Sequence, residues 1–476
     1  MKQSIKPIDE RIPGPGGMEM FFSIPRAQRD PLGFLYECAR RYGDLTRFKA
    51  GSQLAYFVNS PSAIKRILQD NHRNYTKDTI QYRQLALVAG RGLLTSDGEF
   101  WLSPRRLMQP AVRPRRIEGM ARAIVSATTN MLTEWQHRLP EDMPGIVDVD
   151  AEMLRLTLEI AGLTLFSIDL SRDAPRLTQA VLTALDHIVY RASNFLALPA
   201  SSPTPRNRRF RAALDALNDT VRGLLEARRR QMAAQDELPD DLLSALLKAV
   251  DAETGQQLDD QAVRDEVLTL LIAGHETTAS ALTWGLHLLA THPEAQEKLR
   301  REIAQTIGAR APQYSDLPRL TWCRQALEET LRLYPPAWLI TRRAIQADQL
   351  DGHTIPAGAI VIISPYVIHR HPAYWAEPDQ FKPERFAPGQ GDQPWPRFAY
   401  IPFGGGPRVC IGQNFGVVEA MLIVAALAQQ FWFEPEQTAG SNGHEQPGVS
   451  IAPLVTLRPR VNGRHGLRLR ARRLQL

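Results

Sequence analysis

Cysteine is scarce in this chain. Three cysteines, Cys38, Cys323 and Cys410, are spread over 476 residues, and no two of them form a C-x-x-C pair. This scarcity argues against a disulfide-stapled secreted fold and against a zinc or iron–sulfur site built from several cysteines. We therefore expect the protein in a reducing compartment, the cytoplasm.

Long apolar runs and a large net charge are also absent. The first residues contain no apolar stretch typical of a signal peptide, and no run approaches the roughly 20 apolar residues of a membrane-spanning helix. Lys and Arg together number 57, against 51 Asp and Glu. This excess favours an acidic protein partner but is too small to indicate nucleic-acid binding. The sequence thus predicts neither a membrane anchor nor a nucleic-acid partner.

No internal repeat and no low-complexity linker divides the chain, which favours one compact unit. Residues 1–30 are rich in proline and glycine and predict an extended N-terminal lead-in. A single domain is therefore assigned to residues 31–476.

Apolar spacing predicts a mainly α protein with smaller β-sheets, an α+β fold. Alternating patterns at 45–49 and 54–58 predict a hairpin, and residues 117–250 show the spacing of helices with charged outer faces. We expect residues 78–95 to form an irregular loop over a cavity. Residues 466–471 alternate in the manner of an edge strand with outward arginines.

One stretch, residues 402–412, combines three consecutive glycines with a cysteine. Its sequence, Pro-Phe-Gly-Gly-Gly-Pro-Arg-Val-Cys-Ile-Gly, excludes a regular helix and favours a loop whose backbone approaches another group closely. Cys410 stands just before an apolar helix, whose N-terminus stabilises a thiolate. A lone thiolate cannot build a zinc site, but it suits haem, whose porphyrin supplies four further donors.

The neighbours of Cys410 agree with a haem site. Phe403 can shield the sulfur from water, Gly404 allows N–H groups to point at it, and Arg408 can meet a propionate. The alternative is a Gly-rich turn that carries a buried structural cysteine.

A second stretch, residues 260–291, predicts one long helix of roughly 50 Å. It contains no proline, is expected to be capped by Asp259 or Asp260, and is apolar nearly all round, so we expect it to be buried. A carboxylate at its centre, Glu276, is costly unless it is paired, hydrated or functional. Thr277 can donate to the carbonyl of Ala273 and loosen the helix locally. The structural alternative is a satisfied core hydroxyl beside a Glu276 that pairs with an arginine.

Trp101 and Arg105 lie at i and i+4 on a predicted helix, so the indole N–H and the guanidinium can donate to one carboxylate. Read alone, the pair is more simply an interfacial tryptophan beside a solvated arginine. Arg113, Arg115 and Arg116 add positive charge nearby. We expect a solvated basic face there, with a docking patch for an acidic electron donor as the alternative.

Together these stretches resemble the cytochrome P450 family. The spacing Phe-Gly-x-Gly-x-Arg-x-Cys-x-Gly, from Phe403 to Gly412, matches its haem-binding loop at every defined position. The run Ala-Gly-His-Glu-Thr-Thr at 273–278 is similar to its oxygen-activation motif. The Trp-x-x-x-Arg pair and the Phe-Lys-Pro-Glu-Arg-Phe element at 381–386 follow the family's order. The resemblance covers roughly residues 10 to 470.

The resemblance implies roles for individual residues. Cys410 is expected to ligate the iron of haem b, and Glu276 and Thr277 are expected to deliver protons to dioxygen. Arg342 or Arg343 is expected to bind a propionate, and the spacing to the following turn favours Arg342. The cofactor contacts implied are Phe403, Gly404, Arg408, Trp101, Arg105, Arg342, Ala273 and Gly412.

Two further sets of residues follow from the resemblance. Glu329, Arg332 and Arg385 are expected to form a buried ionic network that supports the fold around the haem loop. The residues expected to line the substrate pocket are mostly apolar: Leu270, Ala273, Ala337, Trp338, Leu339 and Ile451, with part of 78–94.

The implied activity is that of a haem-thiolate monooxygenase, which inserts one atom of O2 into a lipophilic substrate such as a fatty acid or terpenoid. The sequence shows neither a Gly-rich flavin signature nor a cysteine cluster, so electrons are expected from a separate ferredoxin or flavodoxin with its reductase. A peroxide-driven peroxygenase and a non-catalytic haem sensor are the alternatives. The acid–alcohol pair Glu276 and Thr277 argues against both.

Overall fold

A computed structural model describes most of the chain. The described residues are 9, 11–50, 53–194, 197–248, 250, 255, 257–387, 395–436 and 448–474. Within them, no helix combines the length and the apolar character needed to cross a membrane.

Helices dominate the described residues, and the strands form small sheets, which confirms the predicted α+β class. The helices are α1 Gly17–Arg29, α2 Pro31–Tyr42, α3 Pro61–Lys65, α4 Ile80–Ala89, α5 Glu99–Met108, α6 Pro114–Arg138, α7 Val149–Leu165, α8 Ala174–Ser193, α9 Pro205–Ala233, α10 Leu242–Lys248, α11 Asp260–Thr291, α12 Pro293–Thr306, α13 Thr321–Leu333, α14 Pro365–Ile368 and α15 Gln413–Gln430. The strands are β1 Leu45–Ala50, β2 Gln53–Val58, β3 Tyr75–Thr76, β4 Gly145–Asp148, β5 Ile340–Ala344, β6 Asp348–Leu350, β7 His353–Ile355, β8 Ile360–Ile363, β9 Phe431–Pro435, β10 Val449–Pro453, β11 Leu457–Val461, β12 Arg464–His465 and β13 Arg468–Arg473.

The chain divides into two compact units. The first unit comprises Met1–Gln84, Leu331–Phe381 and Pro388–Cys410, and the second comprises Leu85–Thr330, Lys382–Ala387 and Ile411–Leu476. Assignment of residues 31–476 to a single domain stays a prediction about how the chain folds.

The first unit is built on a five-stranded sheet in the order β1-β2-β8-β5-β3. The predicted hairpin is confirmed, because β1 and β2 pair antiparallel with Leu45 opposite Val58. β8 joins β2 in parallel, which places Val361 and Ile363 in the same fully buried core as Tyr56. Burial of these side chains is the main source of the sheet's stability.

The second unit is organised around α11, which packs against α7, α9 and α15. The predicted long helix is confirmed over all its 32 residues. The carboxylate of Asp259 caps it by accepting a hydrogen bond from the N–H of Ala262 at 2.7 Å. Two three-stranded sheets, β4-β13-β9 and β10-β11-β12, complete this unit.

The lead-in, predicted to be extended throughout, contains the helix α1. The prediction was wrong for these residues: α1 includes Pro25 and buries no side chain, and its apolar residues Met18, Phe21 and Phe22 are exposed. Glu19 ties it to the next helix, since its carboxylate accepts a hydrogen bond from the Tyr42 hydroxyl at 2.8 Å.

The irregular loop predicted for 78–95 is wrong for residues 80–89, which form α4. Tyr82, Leu85 and Val88 recur every three residues and are buried, so the helical spacing is present in the sequence. The helix ends at Gly90, whose φ of +58° suits glycine.

The C-terminal segment predicted to be an edge strand is β13, and it lies in the middle of its three-stranded sheet. Its alternation is confirmed, with Leu469 and Ala471 buried and Arg468 and Arg472 exposed. It nevertheless pairs with β4 on one side and β9 on the other. Both partners are distant in the sequence, so a local pattern cannot show whether an edge is covered.

Candidate functional site

Of the three cysteines, only Cys410 is exposed. Burial raises the pKa of the Cys38 thiol to about 12, and it also raises the pKa of the Cys323 thiol. Both buried thiols are therefore disfavoured as thiolates, the form that ligates a metal. The accessible thiol is the one that the sequence predicted as the ligand.

The loop that carries Cys410 is shaped by its glycines. The N–H of Cys410 donates to the carbonyl of Phe403 at 3.0 Å, which closes the loop. Gly404 and Gly406 have φ values of +74° and +68°, which favour glycine. A Cβ on Gly406 would lie 1.9 Å from the carbonyl oxygen of Leu68, whereas Gly404 faces open space. Gly406 is therefore required by packing against the chain itself.

A buried histidine supports the start of this loop. His369 is 0% exposed. Its Nε2 accepts a hydrogen bond from the N–H of Ile401 at 2.8 Å, and its Nδ1 donates to the carbonyl of Arg332 at 3.1 Å. Because the ring donates once and accepts once, it is neutral. Burial, followed by the nearby positive charge of Arg332, holds the pKa of His369 well below its usual value.

Arg342 and Arg343 are neighbours on β5, but their side chains have different partners. Arg343 donates to the carbonyls of Asp78 at 2.7 Å and Gly358 at 3.0 Å. Arg342 is only 6% exposed, and its Nη1 donates to the hydroxyl of Tyr82 at 2.9 Å. Two backbone carbonyls thus engage Arg343, while the buried Arg342 donates to a phenol and to the carbonyl of Thr341 at 2.8 Å.

Lys77 places a second cation at the same phenol. Its ammonium lies 5.3 Å from the centroid of the Tyr82 ring, and the guanidinium of Arg342 lies 5.5 Å from it. Both cationic side chains are buried. Two buried cationic side chains therefore lie beside one phenol ring.

Part of the predicted ionic network is present in the second unit. Glu329 is 0% exposed, and its Oε1 accepts from the N–H of Lys382 at 2.9 Å and from Nε of Arg385 at 3.3 Å. Arg332 belongs to the first unit, where it donates to the carbonyls of His369 and Pro378 at 2.9 and 2.6 Å. The predicted contact between Glu329 and Arg385 is thus present, and backbone carbonyls of the first unit hold Arg332.

One face of α11 is accessible. Between Asp265 and Trp284 every described residue is buried except Leu270, Ala273, Gly274 and Thr277. This spacing of i, i+3, i+4 and i+7 is one face of a helix. We call these four residues the open stripe of α11. Three of them, Leu270, Ala273 and Thr277, were predicted as pocket, cofactor or catalytic residues.

In the predicted acid–alcohol pair, Thr277 makes the expected hydrogen bond, whereas Glu276 lies away from the accessible face of α11. The hydroxyl of Thr277 donates to the carbonyl of Ala273 at 2.6 Å, as predicted. Glu276 is outside the open stripe and is 2% exposed. Its Oε2 accepts from the Thr456 hydroxyl at 2.7 Å, and its Oε1 lies 3.9 Å from Nη1 of Arg458. The carboxylate is thus directed into the second unit, where an arginine faces it.

The remaining predicted residues are placed as follows. Trp101 and Arg105 are both half-buried on α5, as the i, i+4 spacing requires. Gly412 is the N-cap residue of α15, and Ile451 is half-buried on β10, where it faces Pro459 of β11. Of the predicted pocket residues in the first unit, Ala337 is exposed, Leu339 is half-buried and Trp338 is buried. Phe403, Gly404 and Arg408 are half-buried.

Sequence reasoning missed several residues. His369, Lys77, Thr456 and Arg458 were not named, although each contacts a named residue or supports the loop. Arg458 left no signal, because the first three residues of β11 are all buried and the strand does not alternate. His369 left none, because its partners are backbone groups.

Comparison with known proteins gives consistent similarities. A family model described as Cytochrome P450 matches residues 12–456. Cyclooctatin synthase of Streptomyces melanosporofaciens is 37% identical over 441 residues, covering 92% of this chain and 94% of that protein. Cyclooctat-9-en-7-ol 5-monooxygenase of the same organism is 34% identical, covering 88% of this chain and 89% of that protein. Pentalenene oxygenase of Streptomyces avermitilis is 32% identical, covering 88% and 90%.

Proposed function

Because the chain belongs to the cytochrome P450 family and is a haem-thiolate monooxygenase, we propose that Cys410 is its thiolate ligand and that Glu276 and Thr277 manage its protons. The observation that carries this proposal is that Cys410, alone among the three cysteines, is exposed, at the end of a loop closed on Phe403. Haem b is the cofactor of the family.

The residues present fit this cofactor. An exposed thiol suits the iron, and the buried cations Arg342 and Lys77 suit a carboxylate such as a haem propionate. We assign Trp101, Arg105 and Arg408 to the propionates as well, and Phe403, Gly404, Gly412 and Ala273 to contacts with the ring. When bound, a haem with a thiolate ligand supplies the chemistry that splits dioxygen and oxidises a C–H bond.

The residues of the chain itself bind and orient the reactants and move protons. Thr277 presents its hydroxyl on the open stripe of α11, where it can pass a proton on. Glu276 supplies that proton from inside the unit. The buried pair Glu329 and Arg385, with Arg332 in the first unit, serves stability rather than chemistry.

The substrate is proposed to be a lipophilic terpenoid. The predicted lining residues Leu270, Ala273, Ala337, Trp338, Leu339 and Ile451 are apolar and favour a molecule with few charges. The names of two relatives specify an unsaturated alcohol, cyclooctat-9-en-7-ol, and pentalenene. These names favour an unsaturated hydrocarbon or alcohol over a fatty acid, whose carboxylate would need a cation in the pocket. A screen of such compounds for a Soret shift on binding tests this assignment.

Electrons are proposed to come from a separate ferredoxin or flavodoxin with its reductase, in the cytoplasm. A reconstituted reaction distinguishes this from a peroxygenase. Turnover with reductase, donor protein and O2 supports the proposal, and turnover with hydrogen peroxide but none with reductase and donor protein contradicts it. Substrate-dependent O2 uptake excludes a non-catalytic sensor.

The ligand assignment is tested by Cys410→Ser. The variant should still fold, but its reduced carbon monoxide complex should lose the long-wavelength Soret band that a thiolate ligand produces. Cys38→Ser is the control, because that thiol is buried elsewhere and should leave the band in place. Retention of the band in Cys410→Ser would show that another residue holds the iron.

A further inference from the structure

Glu276 lies outside the open stripe that presents Thr277. Successive residues of a helix are rotated by about 100°, so these neighbours point in different directions. Glu276 is 2% exposed. A buried acid that gives up a proton in each cycle must regain one, so its side of the helix needs a route to solvent.

The Glu276 carboxylate ends in a buried cluster of charges. Arg458 of β11 donates through Nη2 to the Asp150 carboxylate at the start of α7. Its other terminal nitrogen, Nη1, lies 3.9 Å from Oε1 of Glu276. Asp150 and Arg458 are 4% and 2% exposed. One guanidinium therefore lies beside two buried carboxylates, those of Asp150 and Glu276.

The two oxygens of Glu276 are held differently. Oε2 accepts a hydrogen bond from the Thr456 hydroxyl at 2.7 Å. Within the described part of the chain, Oε1 of Glu276 and Nη1 of Arg458 have no hydrogen-bond partner. Their separation is beyond hydrogen-bond length, so Arg458 acts on this oxygen through charge and leaves it able to exchange a proton.

A cavity of about 920 Å³ borders the cluster. Its lining includes the buried Asp150 and Arg458 as well as the exposed Asp186, Arg209 and His465. The cavity thus extends from the surface of the second unit to the guanidinium that faces Glu276. Burial raises the pKa of Asp150 to about 6, with Arg458 opposing the rise. A carboxyl that titrates near neutrality can take a proton from solvent and release it again.

We propose that Arg458 is the positioning residue of Glu276 and that Asp150, in the wall of the cavity, resupplies Glu276 with protons from solvent. A proton from solvent adds to the Asp150 carboxylate and moves on to Glu276, which returns to a carboxylate after each donation. The guanidinium stays protonated throughout. This inference rests on the proton-delivery role proposed above for Glu276.

The chain offers a matched control. Arg228 and Asp241 form a second buried pair in the same unit, with hydrogen bonds of 2.6 and 2.8 Å. They are 5% and 6% exposed, and neither is among the residues that line the cavity. Arg228→Gln and Arg458→Gln therefore each break a buried Arg–Asp pair, and only the second removes the cation from Glu276.

The test measures how donor electrons divide between product and hydrogen peroxide in the haem-loaded enzyme. Arg458→Gln should lower the product-to-peroxide ratio by about tenfold, because Glu276 loses the cation that positions its carboxylate for proton transfer. Asp150→Asn should enlarge the solvent deuterium isotope effect. Arg228→Gln should change neither quantity. Arg458→Lys keeps a cation, so its product-to-peroxide ratio should lie between those of the wild type and Arg458→Gln. This variant replaces Arg458→Gln in the test if the latter does not fold.

A second readout is independent of turnover. In an Asp150→Asn background at neutral pH, Arg458→Gln should add the infrared C=O band of a protonated carboxyl, and further replacement Glu276→Gln should remove it. Absence of that band, or equal ratios for Arg458→Gln and Arg228→Gln, overturns the role of Arg458. If Glu276→Gln alone leaves the ratio unchanged, the proposed function of Glu276 fails as well. If Glu276→Gln lowers the ratio and Arg458→Gln does not, only the present inference fails.

Discussion

The ring of His369 joins the backbone N–H of Ile401 to the carbonyl of Arg332. Nε2 accepts from Ile401 at 2.8 Å, and Nδ1 donates to Arg332 at 3.1 Å. Ile401 stands two residues before Phe403, whose carbonyl closes the Cys410 loop. A neutral imidazole in the core thus connects the end of α13 to the loop that carries the ligand.

Replacement His369→Leu should therefore destabilise the first unit. The change leaves one buried donor and one buried acceptor without a partner, at a cost of about 2 to 4 kcal/mol. The free energy of unfolding in urea and the haem content after purification measure the effect. His353→Leu is the control, because His353 is half-buried on β7 and its Nδ1 makes a long contact of 3.4 Å with the Asp9 carboxylate. Equal losses in the two variants would contradict the role of His369.

Gly406→Ala and Gly404→Ala should differ sharply although both glycines have positive φ. At Gly404 the added methyl meets nothing within 4 Å, so the cost is about 1–2 kcal/mol from backbone strain alone. At Gly406 it meets the carbonyl oxygen of Leu68 at 1.9 Å, and the loop must move. We expect Gly404→Ala to retain haem and Gly406→Ala to lose most of it, as measured by the ratio of Soret to protein absorbance. Similar haem content in both would show that the packing against Leu68 is not needed.

Thr277→Ala should divert electrons to hydrogen peroxide. The variant removes from the open stripe the hydroxyl that donates to the Ala273 carbonyl. Because proton delivery is then weaker, the product-to-peroxide ratio should fall by about tenfold. Thr277→Ser keeps the hydroxyl and should keep most of the ratio. Thr164→Ala removes a comparable hydroxyl, which donates to the Ile160 carbonyl at 2.6 Å on α7, and should have no effect. An unchanged ratio in Thr277→Ala would contradict the assigned role.

Glu419→Gln should stabilise the protein at alkaline pH. Glu419 is 1% exposed on α15, and burial raises its pKa from 4.5 to about 8, opposed by a hydrogen bond with Thr278. A carboxyl whose pKa is raised on folding contributes stability that is complete below 4.5 and is lost as the pH rises through about 8. Each pH unit in this window costs up to about 1.4 kcal/mol.

The neutral amide of the variant removes this dependence. Unfolding free energies of the two proteins, measured from pH 5 to roughly pH 9, should diverge as the pH rises, with the variant the more stable. Parallel curves would show that Glu419 is not a buried titrating group.

Much of the site was readable from sequence because it depends on short-range physics. The cap at Asp259, the back-bond of Thr277 and the positive φ of Gly404 each involve residues within four positions. Two predictions failed for different reasons. α1 buries no side chain, and α4 shows the spacing of a helix although an irregular loop was predicted there.

The sequence by itself determined the loop around Cys410 and the buried helix α11, since these arise from composition and periodicity over a few turns, while the acid–alcohol pair was recognised through the resemblance to the family. Only the tertiary structure decided what surrounds them. Thr456 reaches Glu276 across 180 residues, and Arg458 reaches Asp150 across 308. The middle position of β13 and the different partners of Arg342 and Arg343 depend equally on distant strands and loops. Such partners are selected by the packing of the whole unit, which leaves no local pattern to read.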